Sequence, residues 1–166
     1  MKELTLDHIN SKTPYKVGMA RKGTYLFQTE TDVVYSIMFQ RDMEIAGSQT
    51  YQFVIDRLSE SKDSHPGWVK DTIIAIICEF FEQNNDILLY ICDTDDGREA
   101  MRNRLFLRWF FEGADESHFT IKTAHCLVEQ QMFYTAIIIR NDHPNYSAVI
   151  SEFDMTATEL SNKPQA

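Results

Sequence analysis

A chain of 166 residues has the length of one ordinary domain, and 43% hydrophobic with 12% aromatic residues supplies enough apolar surface for a real core. Disordered, collagen-like and disulfide-scaffold classes are thereby excluded. Sixteen basic against 25 acidic side chains leave a net charge of −9, which provides no general basic field for a polyanion and disfavours nucleic acid as a partner.

The charge is uneven along the chain. Residues 1–22 carry Lys2, Lys12, Lys16, Arg21 and Lys22 against Glu3 and Asp7, with little apolar periodicity, and read as a partly ordered basic leader. Its polar residues interrupt every apolar pair, so no secretory signal is expected. From residue 24 the period becomes two. Tyr25, Phe27 and Thr29 share one face, Val33, Tyr35, Ile37 and Phe39 share the next, and Tyr51, Phe53 and Ile55 follow. This spacing predicts a three-stranded antiparallel meander.

A polar stretch, 59–65, leads to Pro66 and the clearest helix, where Trp68, Thr72, Ile73, Ile76, Ile77, Phe80 and Phe81 form one apolar stripe. Glu79 is expected largely off that stripe, and Asn84-Asn85 are expected to end the helix in the left-handed conformation. The unbroken apolar run 87–92 predicts a central strand covered on both faces. A second helix is predicted over 97–111, with Asp96 and Glu99 spaced as a capping box, then a hairpin over 119–128 and 133–140. Tyr146, Val149, Ile150 and Phe153 mark a last helix that fades into a polar tail, 161–166. The expected fold is therefore α+β: a single domain over 23–160 with a mainly antiparallel sheet and two or three helices packed on one face of it.

No run approaches the roughly 20 apolar residues that a membrane-crossing helix needs, so no membrane partner is expected. Cys78, Cys92 and Cys126 are odd in number and widely spaced, which points to buried thiols in a reducing cytoplasm. His8, His65, His118, His125 and His143 are scattered, so neither a metal nor another cofactor is expected.

The stretch that could carry chemistry runs from Leu88 to Phe110. Asp93, Thr94, Asp95 and Asp96 stand at the carboxyl end of the predicted central strand, where oxygen ligands commonly hold a hard cation. Arg98, Arg102, Arg104 and Arg108 follow, paired one helical turn apart and able to clamp phosphates or carboxylates. The same residues also make a good strand-to-helix turn through capping and ion pairing. An apolar strand followed by Asp93-Thr94-Asp95 resembles the haloacid-dehalogenase-type pattern Asp-x-Asp-x-Thr, but the following threonine and the repeated strand-helix units are missing and the motif lies mid-chain rather than on a first strand.

The residues Leu89-Tyr-Ile-Cys-Asp-Thr-x-Asp-Gly-Arg98, Arg102-x-Arg104-Leu-Phe106 and Trp109-Phe110, with Tyr25-x-Phe27-x-Thr29, Tyr35, Thr72-Ile73-Ile74 and Phe80-Phe81, resemble a family of small bacterial proteins described only as a domain of unknown function. The resemblance spans 15–153. It implies that Asp93, Thr94, Asp96, Gly97, Arg98, Arg102 and Arg104 match the family pattern, and it implies no activity. The reading at this level is a cytoplasmic, non-catalytic bacterial protein acting through contacts with an unidentified protein partner or as a homo-oligomer, with 93–108 as the surface. The alternatives are a metal- or phosphate-dependent enzyme centred on Asp93, Asp95, Asp96, Arg98 and Arg102, and a nucleic-acid-associated accessory module using the basic leader and the arginine helix.

Overall fold

A computed structural model describes residues 1–59, 61–93, 98–113, 117–128 and 131–162. The elements in chain order are α1 (Leu6–Asn10), β1 (Val17–Arg21), β2 (Thr24–Gln28), β3 (Val34–Ile45), β4 (Ser48–Arg57), α2 (Pro66–Gln83), β5 (Ile87–Asp93), α3 (Arg98–Gly113), β6 (Phe119–Val128), β7 (Gln131–Arg140) and α4 (Tyr146–Asn162). The strands hydrogen-bond in the order β1-β2-β3-β4-β5-β7-β6. The β4–β5 pair is parallel, while β1–β2, β2–β3, β5–β7 and β6–β7 are antiparallel. The fold is α+β with a mixed, mostly antiparallel sheet. Two compact units divide the residues, 1–40 with 53–85 and 41–52 with 86–166.

The first unit is built around aromatic rings. Alternation along β2 and β3 sends Tyr25, Phe27, Tyr35, Ile37 and Phe39 inward, and the register sets Tyr25 opposite Ile37 and Phe27 opposite Tyr35. Phe27 stacks on Tyr35 at 5.1 Å between centroids, and Phe39 stacks on Phe80 of α2 at 4.9 Å. Phe53 of β4 closes the cluster against Phe39. Gly23, at φ +78°, makes the tight β1–β2 turn, and a Cβ there would come within 3.1 Å of the Phe39 carbonyl oxygen.

Helix α2 has Pro66 in its first turn, where its missing N–H costs nothing. It departs from expectation in three ways. Trp68 lies at the helix start, 46% exposed, and stacks on His65 instead of entering the core. Glu79, seven residues after Thr72 and three after Ile76, falls inside the stripe and is 2% exposed. Asn84 ends the helix in an extended conformation, φ −130°, and not a left-handed one. Both its backbone N–H and its side-chain Nδ2 donate to the Phe80 carbonyl, so the last turn is satisfied without positive φ.

In the second unit, β5 is paired along both edges. Thr50, Tyr51 and Gln52 of β4 meet Ile87, Leu88 and Leu89, and β7 pairs antiparallel with β5 from Leu88–Ile138 to Asp93–Phe133. Ile87, Leu88, Leu89 and Tyr90 are all buried, as an apolar run without alternation requires. Ile87, Leu89, Ile137 and Ile139 form one cluster with Val149 and Phe153 of α4. Phe119 points to the opposite face and meets Phe110 of α3 edge-on at 6.0 Å. Alternation therefore puts α4 and α3 on opposite faces of this part of the sheet, which corrects the expectation of helices on one face. Ala46 and Gly47, both at positive φ, join β3 to β4 in a two-residue hairpin.

Phe80→Ala should cost about 3–5 kcal/mol of unfolding free energy, because it opens a cavity under the Phe39 ring. Trp68→Ala, at a half-exposed ring, should cost clearly less. Urea titration of both variants measures the difference.

Candidate functional site

The residues singled out for chemistry fall unevenly on the structure. Asp93 is the last residue of β5 and pairs with Phe133, while Arg98, Arg102 and Arg104 lie in α3. Thr94, Asp95 and Asp96 lie outside the described residues, as does the Asp96–Glu99 capping box. Because β6 runs antiparallel to β7, and β7 to β5, the carboxyl ends of β5 and β6 and the start of β7 share one end of the sheet. The backbone thus places Asp93 at the end of the sheet where the β6 edge strand finishes.

That edge is the second feature. Strand β6 is last in the sheet order and pairs with β7 through ten consecutive residues, Phe119 with Arg140 to Val128 with Gln131, with no bulge. Among the described residues it has no strand on its other side. Helix α4 covers one face of it: Thr120 hydrogen-bonds Tyr146 at 2.9 Å, Lys122 meets Asp154 at 3.1 Å, and Ala124 packs against the α4 cluster. The opposite sheet edge, β1, is only five residues long and carries an irregularity between Met19 and Arg21. Short and bulged edges resist strand addition, and long regular ones invite it.

The third feature is polar and belongs to the first unit. The segment before and within α1 is tied to α2 and β2 by a series of hydrogen bonds. Lys2 N–H donates to Asn84 Oδ1 at 2.7 Å, Leu4 N–H to the Tyr25 hydroxyl at 3.1 Å, and Thr5 N–H to Glu79 Oε1 at 3.1 Å. Gln83 Nε2 also donates to Glu79 Oε1, at 2.9 Å. His8 Nδ1 lies 2.5 Å from Glu79 Oε2 and 3.1 Å from Glu82 Oε2, and Lys12 Nζ reaches Glu82 Oε1 at 3.4 Å. Burial alone would lift the Glu79 carboxyl, yet hydrogen bonds from Gln83, His8 and Thr5 outweigh it and hold the group below its ordinary value. Among the described residues, His8, Glu79 and Glu82 are the group whose donor atoms converge closely enough to hold a cation. Sequence reading missed them, since His8 stands alone in the leader and Glu79 was set off the apolar stripe. The signal was the position of Glu79 on the buried face of a helix.

A second carboxylate of the first unit, Glu30, is held by hydrogen bonds at the surface. Glu30 accepts from Tyr15 OH at 2.5 Å and from Ser64 Oγ at 2.6 Å, and His65 Nε2 lies at 3.2 Å. The Ser64 and Tyr15 hydrogen bonds pull Glu30 down to about 2. Burial, with Glu30 beside it, pushes the Tyr15 phenol up.

A model of a family of unknown function, DUF6169, matches residues 65–155, more than half of the chain. The chain belongs to this family. No curated protein and no solved structure matches it. In this DUF6169 member the matched stretch runs from the start of α2 into α4 and includes Glu79, Glu82, Asp93 and the β6 edge. His8 and strands β1 to β4 precede it, so the matched region is narrower than the resemblance over 15–153. Among the described residues no helix is long and apolar enough to cross a membrane.

The Glu30 carboxylate is held low in the folded state, so its stabilising share is present above the ordinary range near pH 4.5 and is lost as pH falls toward 2. Thermal melts should show Glu30→Gln melting below the wild type at pH 6, with the gap closing steadily as pH falls to about 2.

Proposed function

We propose that this protein is a non-catalytic binding module that captures an extended segment of a partner protein as an added strand on β6. The observation that supports the reading is the uninterrupted ten-residue pairing of β6 with β7, which, among the described residues, leaves the outer backbone edge of β6 without a neighbouring strand. Alternate N–H and C=O groups of an antiparallel edge strand point away from the neighbour it already has. A peptide that hydrogen-bonds to them gains affinity from its main chain and specificity from alternate side chains. On one face those side chains would lie beside Thr120, Lys122 and Ala124, and on the other beside Ile121 and Thr123.

The partner is neutral or basic in character. A net charge of −9 repels a second copy of this chain and attracts a segment of opposite sign. Asp93, Thr94, Asp95, Asp96, Arg98, Arg102 and Arg104 belong to the same proposal as a flanking contact, since β5 ends at the same end of the sheet as β6. The proposal sets the module in a reducing cytoplasm, in keeping with the free thiol of Cys78.

Selection from a displayed library of random peptides about ten residues long, the span of a long strand, tests the reading. Selected peptides should alternate apolar and polar positions, carry neutral or positive charge, and slow amide exchange in β6 on binding. Thr123→Lys, which places a charge on an exposed position of that edge, should weaken them about tenfold, or about 1.4 kcal/mol. Peptides that protect other elements, an affinity unchanged by Thr123→Lys, or a library without binders would each overturn the proposal.

A further inference from the structure

We propose that His8, Glu79 and Glu82 bind one divalent transition-metal cation of the zinc class and that this cation fastens α1 to α2. Three donor atoms from two elements, His8 Nδ1, Glu79 Oε2 and Glu82 Oε2, lie within 4.8 Å of one another. Zinc takes nitrogen and oxygen ligands at about 2.0–2.2 Å, so ligand atoms around it stand roughly 3 Å apart, the scale of this cluster. Imidazole combined with carboxylates favours zinc-like cations over magnesium or calcium, which prefer an all-oxygen shell.

Two further observations distinguish the group from an ordinary surface ion pair. The first is an imbalance at His8. Its Nδ1 can carry a single proton, yet carboxylate oxygens of both Glu79 and Glu82 face it, at 2.5 and 3.1 Å. One proton can serve one of them fully, whereas a divalent cation would bind all three groups at once. The second is the support behind Glu79. Its side chain is 2% exposed, and its other oxygen, Oε1, accepts from Thr5 N–H and Gln83 Nε2. The carboxylate is thereby locked with Oε2 aimed at His8. Outer hydrogen bonds that fix a ligand in this way are a regular part of metal sites. His8 and Glu82 are 39% and 46% exposed, so the remaining coordination positions open to water.

On binding, the cation takes the place of the Nδ1 proton, which an imidazolium releases to solvent and a neutral ring carries on Nε2 instead, and two carboxylate charges balance the two positive charges of the metal. Lys12, 3.4 Å from Glu82 Oε1, then offsets the surrounding negative field rather than Glu82 alone. Because His8 lies in α1 and both glutamates lie in α2, the bound metal would close a loop of about 70 residues and hold the N-terminal segment in place.

The test uses the full chain stripped of metal with a chelator. Calorimetric titration with Zn²⁺ should show one equivalent bound and a raised melting temperature. His8→Ala and Glu82→Gln, both at partly exposed positions that leave the core intact, should each weaken that binding at least tenfold, and Gln83→Ala roughly tenfold through loss of support behind Glu79. Cys78→Ser should leave it unchanged. With Co²⁺ as the probe, the visible spectrum should report nitrogen and oxygen donors. No binding, binding that survives both His8→Ala and Glu82→Gln, or a near-ultraviolet thiolate-to-cobalt band that disappears in Cys78→Ser would overturn the assignment.

Discussion

Strand β5 is held by neighbours on both edges and, over Ile87 to Tyr90, buried on both faces, while Ile91 is 39% exposed, and the rest of the second unit follows from that. Its run Ile87-Leu-Leu-Tyr90 has no polar position to turn toward water, so each face needs a cover of its own. Helix α4 supplies one through Val149 and Phe153, and α3 lies on the other side, reached through Phe110 and Phe119. Strand β7 satisfies the free backbone edge of β5. What remains is β6, which completes β7 and, among the described residues, is the last strand in the sheet order, with no strand on its outer side. A sheet that is not closed always leaves such an edge somewhere. Here one end is shortened and made irregular at β1, and the other is left long and regular at β6.

The first unit answers a different constraint. A carboxylate almost fully removed from water is costly unless its oxygens are engaged. Glu79 meets that requirement with a backbone N–H from Thr5, the amide of Gln83 and the ring of His8. Two of those three donors come from the segment that begins the chain, so the buried charge specifies where α1 must sit. Leu4 and Ile9, both buried, add apolar contact that holds the same placement. The sixteen bases and 25 acids therefore do more than set a net charge. Some of the acidic excess sits inside the molecule as the fixed point around which a basic segment folds.

Much of the fold was legible in the sequence. The period-two runs around Tyr25, Tyr35 and Tyr51, the stripe of α2, the unbroken apolar β5 and the spacing of Tyr146, Val149 and Phe153 each became the element they predict. These signals are strong because each repeats over several turns or pleats. Helix α1 and strand β1 were not legible, for a physical reason: a five-residue helix and a five-residue strand are too short to establish a period, and tertiary contacts to Glu79, Tyr25 and Asn84 hold the segment. The buried stripe of α2 was misread at two positions, because Trp68 and Glu79 exchanged the roles their chemistry suggests, the ring going to the surface and the acid to the interior. The site was less legible than the fold. Asp93 and the arginines of α3 stand out in the sequence by composition, but the convergence of His8 with Glu79 and Glu82 joins positions some 70 residues apart and needs three dimensions to be seen. The open edge of β6 likewise depends on strand order, which no local pattern encodes.

Whether β6 presents a free backbone edge to solvent is read directly by residue-resolved amide exchange in NMR. If the edge is open, amides along 120–124 should alternate, those bonded to β7 exchanging slowly and those facing outward exchanging close to the rate of an unstructured chain. Uniform protection along β6, equal to that of β7, would mean that the edge is already covered, and the account of the protein as a strand-capturing module would be contradicted.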